Sequence, residues 1–384
     1  MTTAIPGKRG RPLRVMMLGL RGFPGVQGGV EKHAENLCPL LVELGCEVTA
    51  LVRTPYQPPE VGPVWQGVNF VSIWAPKSKG AEAFAHTLVG VLNAAFRRPD
   101  ILHIHAIGPA IMTPLARLLG VPVVVTHHGP DYDRQKWGRF ARLVLQLGER
   151  FGMRWSNERI VISEVIQGIV RDKHELDSVL IPNGVVLPAL PTTTGNLAPF
   201  ALTPGKYVVL VSRLVPEKRH LDLIEAFRRA HLADWKLAIV GSSDHPDAYT
   251  RQVLETAAKT PGVVCTGFQS GLGLRELYAH AGLFVLPSSH EGLPIAMLEA
   301  LSYGLPVVAS DIPANLEVGL PAEHYYPLGD VDALATRLGE FAARPMNSET
   351  RESRRTWVSE RFDWRDIARR TMAVYQTVVS GRTA

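Results

Sequence analysis

Thiols are scarce in this chain. Its three cysteines, Cys38, Cys46 and Cys265, have no C-x-x-C spacing and make no even framework. A disulfide-stapled scaffold is therefore excluded, and free thiols in a reducing compartment are expected. Long apolar runs are also missing, and no stretch approaches the roughly 20 residues that a membrane span requires. Neither sign of charge dominates: 41 basic and 36 acidic residues leave a formal net charge of +5. That balance permits an anionic ligand or an anionic membrane surface but is too weak to argue for nucleic acid. The start, "MTTAIPGKRGRPLRVMMLGLRGF", imitates a signal peptide by placing basic residues before an apolar stretch. Its apolar part, Val15 to Leu20, is too short for that role and is closed by Arg21, so a first buried strand is expected instead.

What is present fits a large α/β protein. At 384 residues the chain exceeds one comfortable core, which suggests about two domains. The 34 glycines and 29 prolines suit many short turns. The runs "LRVMMLGL", "EVTALVR", "DILHIHA", "VPVVVTHHG" and "RIVISE" are rich in Val and Ile with little alternation, as in strands buried on both faces of a parallel sheet. Helical stretches such as "AFAHTLVGVLNAAFR" and "AIMTPLARLLG" separate them. The segment "VLIPNGVVLPALPTTTGNLAPFALTPG" has no helical period and reads as a linker. The pattern then resumes with "YVVLVSR", "WKLAIVG", "GVVCTG", "LFVLPS" and "LPVVASD". Two α/β units follow, about 1–185 and 186–361, with a tail over 362–384 that reads as an amphipathic helix.

Open parallel sheets collect ligands at the carboxyl ends of their strands, and the polar, glycine-rich motifs fall at those ends. In "LGLRGFPGVQGGVEKHAENL" a strand enters a loop whose Gly28 and Gly29 let backbone approach a ligand, and the helix start behind them can bind an anion. A dinucleotide fingerprint does not fit, because the glycine spacing is wrong and the next strand ends on Arg53 rather than an acid. A tight strand-to-helix turn is the plainer alternative. In "VVVTHHGPDYDRQKWG", His127 and His128 follow a buried strand, and adjacency sends their rings to opposite sides. Asp131 and Asp133 could offer hard oxygens to a cation, or His and acids together could suit zinc. A turn-capping role for Asp133 is preferred.

In "VSRLVPEKRHLDLIEAF", Arg213 follows a strand and Lys218 comes five positions later. A guanidinium and an ammonium suit a diphosphate that gains charge as it leaves. In "HEGLPIAMLEALSYGLPVVASD", Pro294 suits the first helical position and Gly304 the stop, placing Glu291 in the preceding loop and Glu299 on the helix. Carboxylates accept paired hydrogen bonds from vicinal hydroxyls, and the helix start between them can hold an anion. Two hydroxyl-bearing groups joined by a diphosphate, the chemistry of a nucleotide sugar, fit this arrangement. A surface helix remains the plain alternative for Glu299.

Taken in order, these motifs resemble a retaining glycosyltransferase of the GT-B fold, family 4. The residues from Phe284 to Asp311 resemble its E-x7-E region. "LVSRLVPEKRHLDLIEAF" resembles its donor-diphosphate site, Gly28 and Gly29 its N-terminal glycine loop, and "IPNGV" its interdomain segment. The resemblance implies two Rossmann-like α/β domains facing across a cleft, an acceptor domain and a nucleotide-sugar domain, with the C-terminal helix packing back on the first. It implies a hexosyltransferase in which Arg213 and Lys218 neutralise the diphosphate, Glu291 binds sugar hydroxyls and Glu299 binds the ribose. His128 would lie near the donor sugar and Phe268 by the base. Pro294 stands where many members have a second glycine, so one amide donor is absent. Its neighbours, with Gly292 and Leu293 among the donor-binding residues, must supply that donor.

No metal or other cofactor is expected, and the nucleotide sugar, with UDP favoured, is a substrate. The N-terminal motifs look nearest to bacterial rhamnosyltransferase-like members that build surface polysaccharides. That implies a glycan or lipid-linked acceptor and a cytoplasmic enzyme. The stretch "DRQKWGRFARLVLQLGERFGMRWSNER" is net basic with Trp137, Phe140, Phe151 and Trp155 interleaved. It reads either as a face resting on anionic lipid at the inner side of the plasma membrane or as a core helix with a solvated side. A UDP-sugar epimerase of the same architecture and a silent sugar-nucleotide binder are the alternative functions.

Overall fold

The structure is a computed structural model describing residues 11–57, 59–76, 81–133, 138–243, 246–344 and 346–381. Trp137 and the basic residues before Arg11 lie outside these. The chain divides into two compact units, Met1–Asn183 with Trp364–Ala384, and Gly184–Asp363.

In chain order the first unit contains β1 (Leu13–Leu18), α1 (Gly29–Glu43), β2 (Cys46–Arg53), β3 (Val64–Trp65), β4 (Val68–Ile73) and α2 (Ala81–Arg97). It continues with β5 (Ile101–His105), α3 (Thr113–Leu118), β6 (Val123–His127), α4 (Arg139–Trp155), β7 (Glu158–Val161), α5 (Glu164–His174) and β8 (Val179–Leu180). The strands form one sheet in the order β3-β4-β2-β1-β5-β6-β7-β8, parallel except for the β3–β4 hairpin. Every residue of β5 and β6 is buried, which is why these runs lack alternation.

The second unit contains β9 (Tyr207–Val211), α6 (His220–Ala230), β10 (Lys236–Val240), α7 (Ala248–Lys259), β11 (Val263–Gly267), α8 (Gly271–Ala279) and β12 (Leu283–Leu286). After these come α9 (Ile295–Ser302), β13 (Val307–Ser310), α10 (Pro313–Leu316), β14 (Tyr325–Tyr326), α11 (Val331–Ala342) and α12 (Ser348–Arg361). Its parallel sheet runs β11-β10-β9-β12-β13-β14. Each unit is thus a Rossmann-like α/β domain in which strand order reverses beside the first strand, between β1 and β5 and between β9 and β12. Such a switch point opens a crevice at the carboxyl ends of the two strands.

The last helix among the described residues is α13 (Trp364–Ser380), which belongs to the first unit. Its buried residues include Trp364, Ile367, Ala368, Met372, Tyr375 and Val378, the three-four spacing of a core-facing stripe. They share one apolar cluster with Leu37, Cys38 and Leu41 of α1 and with β1 and β2.

Two expectations need correction. The segment expected to be a linker is partly structured. Its first residues form β8, which pairs with β7, and Gly195–Phe200 is a 3-10 run whose Asn196 amide donates to the Glu276 carboxylate on α8 at 2.7 Å. Composition hid these elements because their partners are distant in sequence. Pro294 is the N-cap of α9, not its first helical residue, with ψ of 89° instead of a helical value. Gly304 does follow the helix, at φ +72°.

Candidate functional site

In the second unit the site grows from the switch point between β9 and β12. After β9 the chain makes a 3-10 turn, Pro216–Lys218, and enters α6 at His220. His220 is fully buried, and its Nε2 meets Ser212 Oγ at 2.9 Å while its Nδ1 meets Tyr249 Oη at 3.2 Å. This ties the strand end to the helix start and fixes the turn that carries Lys218. Burial, helped by the nearby Lys218 charge, pushes the His220 pKa down to about 3.

After β12 the Ser289 amide donates to the Glu217 carbonyl at 2.8 Å, which joins the two loops. The consequence is an ion pair between Lys218 Nζ and the Glu291 carboxylate, with both side chains mostly buried. Residues 73 positions apart are brought together, and Arg213 lies in the same β9–α6 connection, half-buried. Glu291 stands before α9 with Gly292 and Leu293 between it and Pro294, and the amides of the first helical turn follow.

Glu299 is on α9, half-buried, and accepts a hydrogen bond from Tyr278 Oη at 3.2 Å. Tyr278 stacks on Tyr303 with ring centroids 5.1 Å apart, so aromatic packing fixes this carboxylate's neighbour. Burial and the Glu299 charge hold the Tyr278 hydroxyl well above its usual pKa, as a neutral donor. Phe268 follows β11 just after Gly267, whose φ of +72° turns the chain there, and the residue is 44% exposed.

The first unit gathers its polar groups at its own switch point. Gly19, at φ +99°, sits where a Cβ would collide with the His105 backbone carbonyl, so β1 can end against β5 only with glycine there. Gly28 caps α1 at φ 155°, and the space a Cβ would need is filled by the Glu31 carboxylate and the Arg21 guanidinium. These two side chains pair at 3.1 Å. Gly28 therefore admits the protein's own ion pair, a reason for glycine that the loop sequence did not disclose. Gly29 is the first residue of α1.

His127 and His128 diverge as their adjacency requires. His127 Nε2 reaches Glu149 Oε2 at 3.1 Å, and its Nδ1 accepts from the Gly129 amide at 3.1 Å, which assigns the imidazole proton to Nε2. Glu149 also accepts from Tyr132 and meets His174 at 2.9 Å. Burial alone would raise its pKa, but these hydrogen bonds win and bring it to about 2. The Asp131–Asp133 stretch is a 3-10 turn in which the Asp133 amide bonds the Pro130 carbonyl; it caps no helix in the described residues.

His128 turns the other way. Its Nε2 lies 3.1 Å from His105 Nδ1, and its ring centroid is 4.9 Å from that of His33 on α1. His33 Nδ1 meets Asn183 Oδ1 at 2.9 Å. His103, two residues before His105 on the same strand face, is bonded to Tyr375 Oη and Thr126 Oγ1, each at 2.6 Å. Burial drives all four imidazoles to the neutral form: His33 to about 4, His103 to about 3, and His105 and His128 well below the ordinary value. Sequence reasoning missed His33, His103, His105, Asn183, Glu149 and Tyr278. The alternation in "HIHA" was a usable signal, since residues i and i+2 of a strand share a face.

Comparison with known proteins now has geometry to meet. Residues 27–187 match the family described as Glycosyltransferase Family 4, and residues 205–343 match Glycosyl transferases group 1, so the two matches reach into both units. The chain is 28% identical to alpha-maltose-1-phosphate synthase of Mycobacterium tuberculosis, over 95% of this chain and all of that protein. It is 26% identical to phosphatidyl-myo-inositol mannosyltransferase of Mycobacterium leprae, over 73% of this chain and 74% of that one. The fold is similar to that of Anabaena Alr3699/HepE, solved with UDP and glucose, at a TM-score of 0.77 and 17% identity, over 95% of this chain and all of that one.

Proposed function

The chain belongs to glycosyltransferase family 4, and from that membership we propose that it moves a hexosyl group from an NDP-sugar, with UDP as the favoured base, to an acceptor hydroxyl with retention at the anomeric carbon. The observation that carries this reading is the Lys218–Glu291 pair at the β9–β12 switch point. It sets a cation for phosphate and a carboxylate for sugar hydroxyls side by side, next to the α9 N-terminus. Arg213 joins Lys218 in holding the diphosphate. Gly292 and Leu293 offer amides, Glu299 takes the ribose hydroxyls and Phe268 lies by the base. His128 contacts the donor sugar, and Gly28 and Gly29 shape the loop of the first unit.

In the proposed reaction the leaving phosphate accepts the acceptor's proton on the face where the new bond forms, so no covalent sugar–enzyme bond is needed. Lys218 and Arg213 stabilise the charge that builds on the diphosphate, the contribution that dominates when charge develops in a preorganised site. The reaction proposed needs no metal or other cofactor. The likeness to a mannosyltransferase named for a phosphatidylinositol supports a lipid-linked or glycan acceptor. A place at the cytoplasmic face of a membrane is part of the same proposal. No helix among the described residues is long and apolar enough to cross one, so contact with anionic lipid is proposed to be peripheral, through α4.

Isotope-labelled UDP-, GDP- and dTDP-sugars, supplied with and without a saccharide acceptor, test the reading. Transfer that requires acceptor is expected. Epimerised or hydrolysed donor without acceptor would favour an epimerase instead, and binding without turnover a silent binder. With the productive donor, Lys218→Ala should lower kcat about 10²–10³-fold while circular dichroism stays unchanged. An unaltered rate would remove Lys218 from the chemistry.

A further inference from the structure

Of the clustered histidines of the first unit the proposed transfer uses His128 alone and gives His33 and His105 no role. His33, His105 and His128 each offer one ring nitrogen, and these atoms lie within 4.8 Å of one another. They come from three separate elements: α1, the last residue of β5, and the residue after β6. Convergence from three elements makes this a feature of the fold and not of one local sequence.

We propose that His33, His105 and His128 form a binding site for a first-row divalent cation, zinc foremost, with one open coordination position. With Zn–N bonds of about 2.0–2.1 Å, three imidazoles on a tetrahedral zinc have donor nitrogens about 3.3 Å apart and ring centres about 5 Å apart. The three ring centroids here are 5.5, 4.9 and 5.4 Å apart, and the nearest nitrogens, His105 Nδ1 and His128 Nε2, are separated by 3.1 Å. The remaining nitrogen separations, up to 4.8 Å, must shorten to about 3.3 Å around the ion.

The surroundings match what zinc-binding histidines need. A ligating imidazole usually gives its other N–H to an oxygen, which fixes its tautomer. Asn183 Oδ1 does this for His33 Nδ1 and leaves Nε2 as the ligating atom. His105 is fully buried; with Nδ1 facing His128, its Nε2 has no hydrogen-bond partner among the described residues, so the oxygen acceptor that orients His33 has no counterpart at His105. In the chain without a cation the facing nitrogens of His105 and His128 are joined through one proton, and a bound ion would replace that hydrogen bond with two metal–nitrogen bonds. Three neutral nitrogen donors with no carboxylate among them suit zinc better than magnesium or calcium, which prefer oxygen. Three protein ligands leave a fourth position for water or an incoming oxygen. The site lies in the unit that does not carry Lys218, Arg213 and Glu291, but it shares His128 with the donor-sugar contact proposed above, so a bound zinc takes that ring from the sugar.

The test uses the full chain, stripped with a chelator and then dialysed against zinc chloride. One zinc per chain is expected by elemental analysis. His33→Gln should abolish this binding, and Asn183→Ala should weaken it about 10–100-fold. X-ray absorption on the zinc-loaded wild type should show three imidazole nitrogens at about 2.0–2.1 Å, and cobalt in its place should give the visible absorption of a tetrahedral site. The wild-type measurements stand even where a variant fails to fold. Absence of stoichiometric zinc, fewer than three imidazoles on the bound ion, or full zinc retention by folded His33→Gln would each overturn the proposal. None of these readouts depends on transferase activity, so failure of the proposed transfer would leave the result readable.

Discussion

His220 shows how a residue outside the proposed substrate contacts can support the proposed donor site. Its ring joins the end of β9 to α7 through Ser212 and Tyr249, and it stays neutral because burial and Lys218 oppose its charge. The sign of the pH effect follows. Above the ordinary value of 6.5 the ring is neutral folded or unfolded, so pH has no effect there. As pH falls below 6.5, the unfolded chain takes up a proton that the folded ring refuses, and stability declines until pH reaches about 3. The full loss is on the order of a few kcal/mol. Urea unfolding of the wild type and His220→Gln between about pH 7.5 and about pH 4.5 checks this. The variant should be less stable at the upper end by about 1–2 kcal/mol for its lost hydrogen bonds, and should lose less on acidification. Parallel pH profiles would exclude His220 as a source of acid sensitivity. At this scale the sequence disclosed charged residues at strand ends: Arg213, Lys218 and Glu291 were legible because each follows an apolar run. Pairings were not, since nothing local says that Lys218 meets Glu291 or that a carboxylate on α4 holds His127.

Among the elements, α4 carries the clearest division of labour. Gly148 and Gly152 let it press against the 109–112 turn, where a Cβ on Gly148 would strike the Ile107 carbonyl. Its outer face exposes Arg139, Phe140, Arg142, Leu143, Arg150, Arg154 and Trp155, while its one acid, Glu149, is buried. α4 packs on α3 and α3 on α2, and those helices have Leu118, Phe84, Leu92 and Phe96 as exposed apolar side chains. Scattered exposed apolar residues are ordinary, whereas apolar side chains interleaved with basic ones on a single helix face, as on α4, are what the proposed contact with anionic lipid uses. Vesicle flotation tests the lipid reading. Binding should require anionic lipid, weaken with salt, and fall about tenfold or more in Arg142→Glu/Arg150→Glu, at about 1 kcal/mol per basic residue near the surface. Equal binding to neutral vesicles, or none to anionic ones, would leave α4 as a helix with a solvated side. The strands and most helices were legible from apolar period. The β3–β4 hairpin was not read, although Gln66 and Gly67 both take positive φ at its turn, the backbone a two-residue hairpin favours.

For the whole chain, connectivity makes one unit depend on the other's return. The second unit is a single continuous stretch, entered and left where the Val185 amide bonds the Phe362 carbonyl at 2.8 Å. The first unit is discontinuous, and its core is completed only by α13. The tail's amphipathic period told that it must bury one face, but period alone names no partner. The seven apolar side chains that α13 buries, from Trp364 to Val378, contribute on the order of 10 kcal/mol at about 1.5–3 kcal/mol for each large one. A domain's net stability is only about 5–15 kcal/mol, so the first unit should not survive their loss. The expected outcome for a chain ending at Asp363 is that amides of β1, β2 and β5 lose their protection from hydrogen exchange. Those of β9, β10 and β12 should keep it, and a 184–363 fragment should unfold cooperatively by itself. Unchanged protection in β1 and β2 after the deletion would show that α13 covers a core that is already stable without it, and would overturn the dependence argued here.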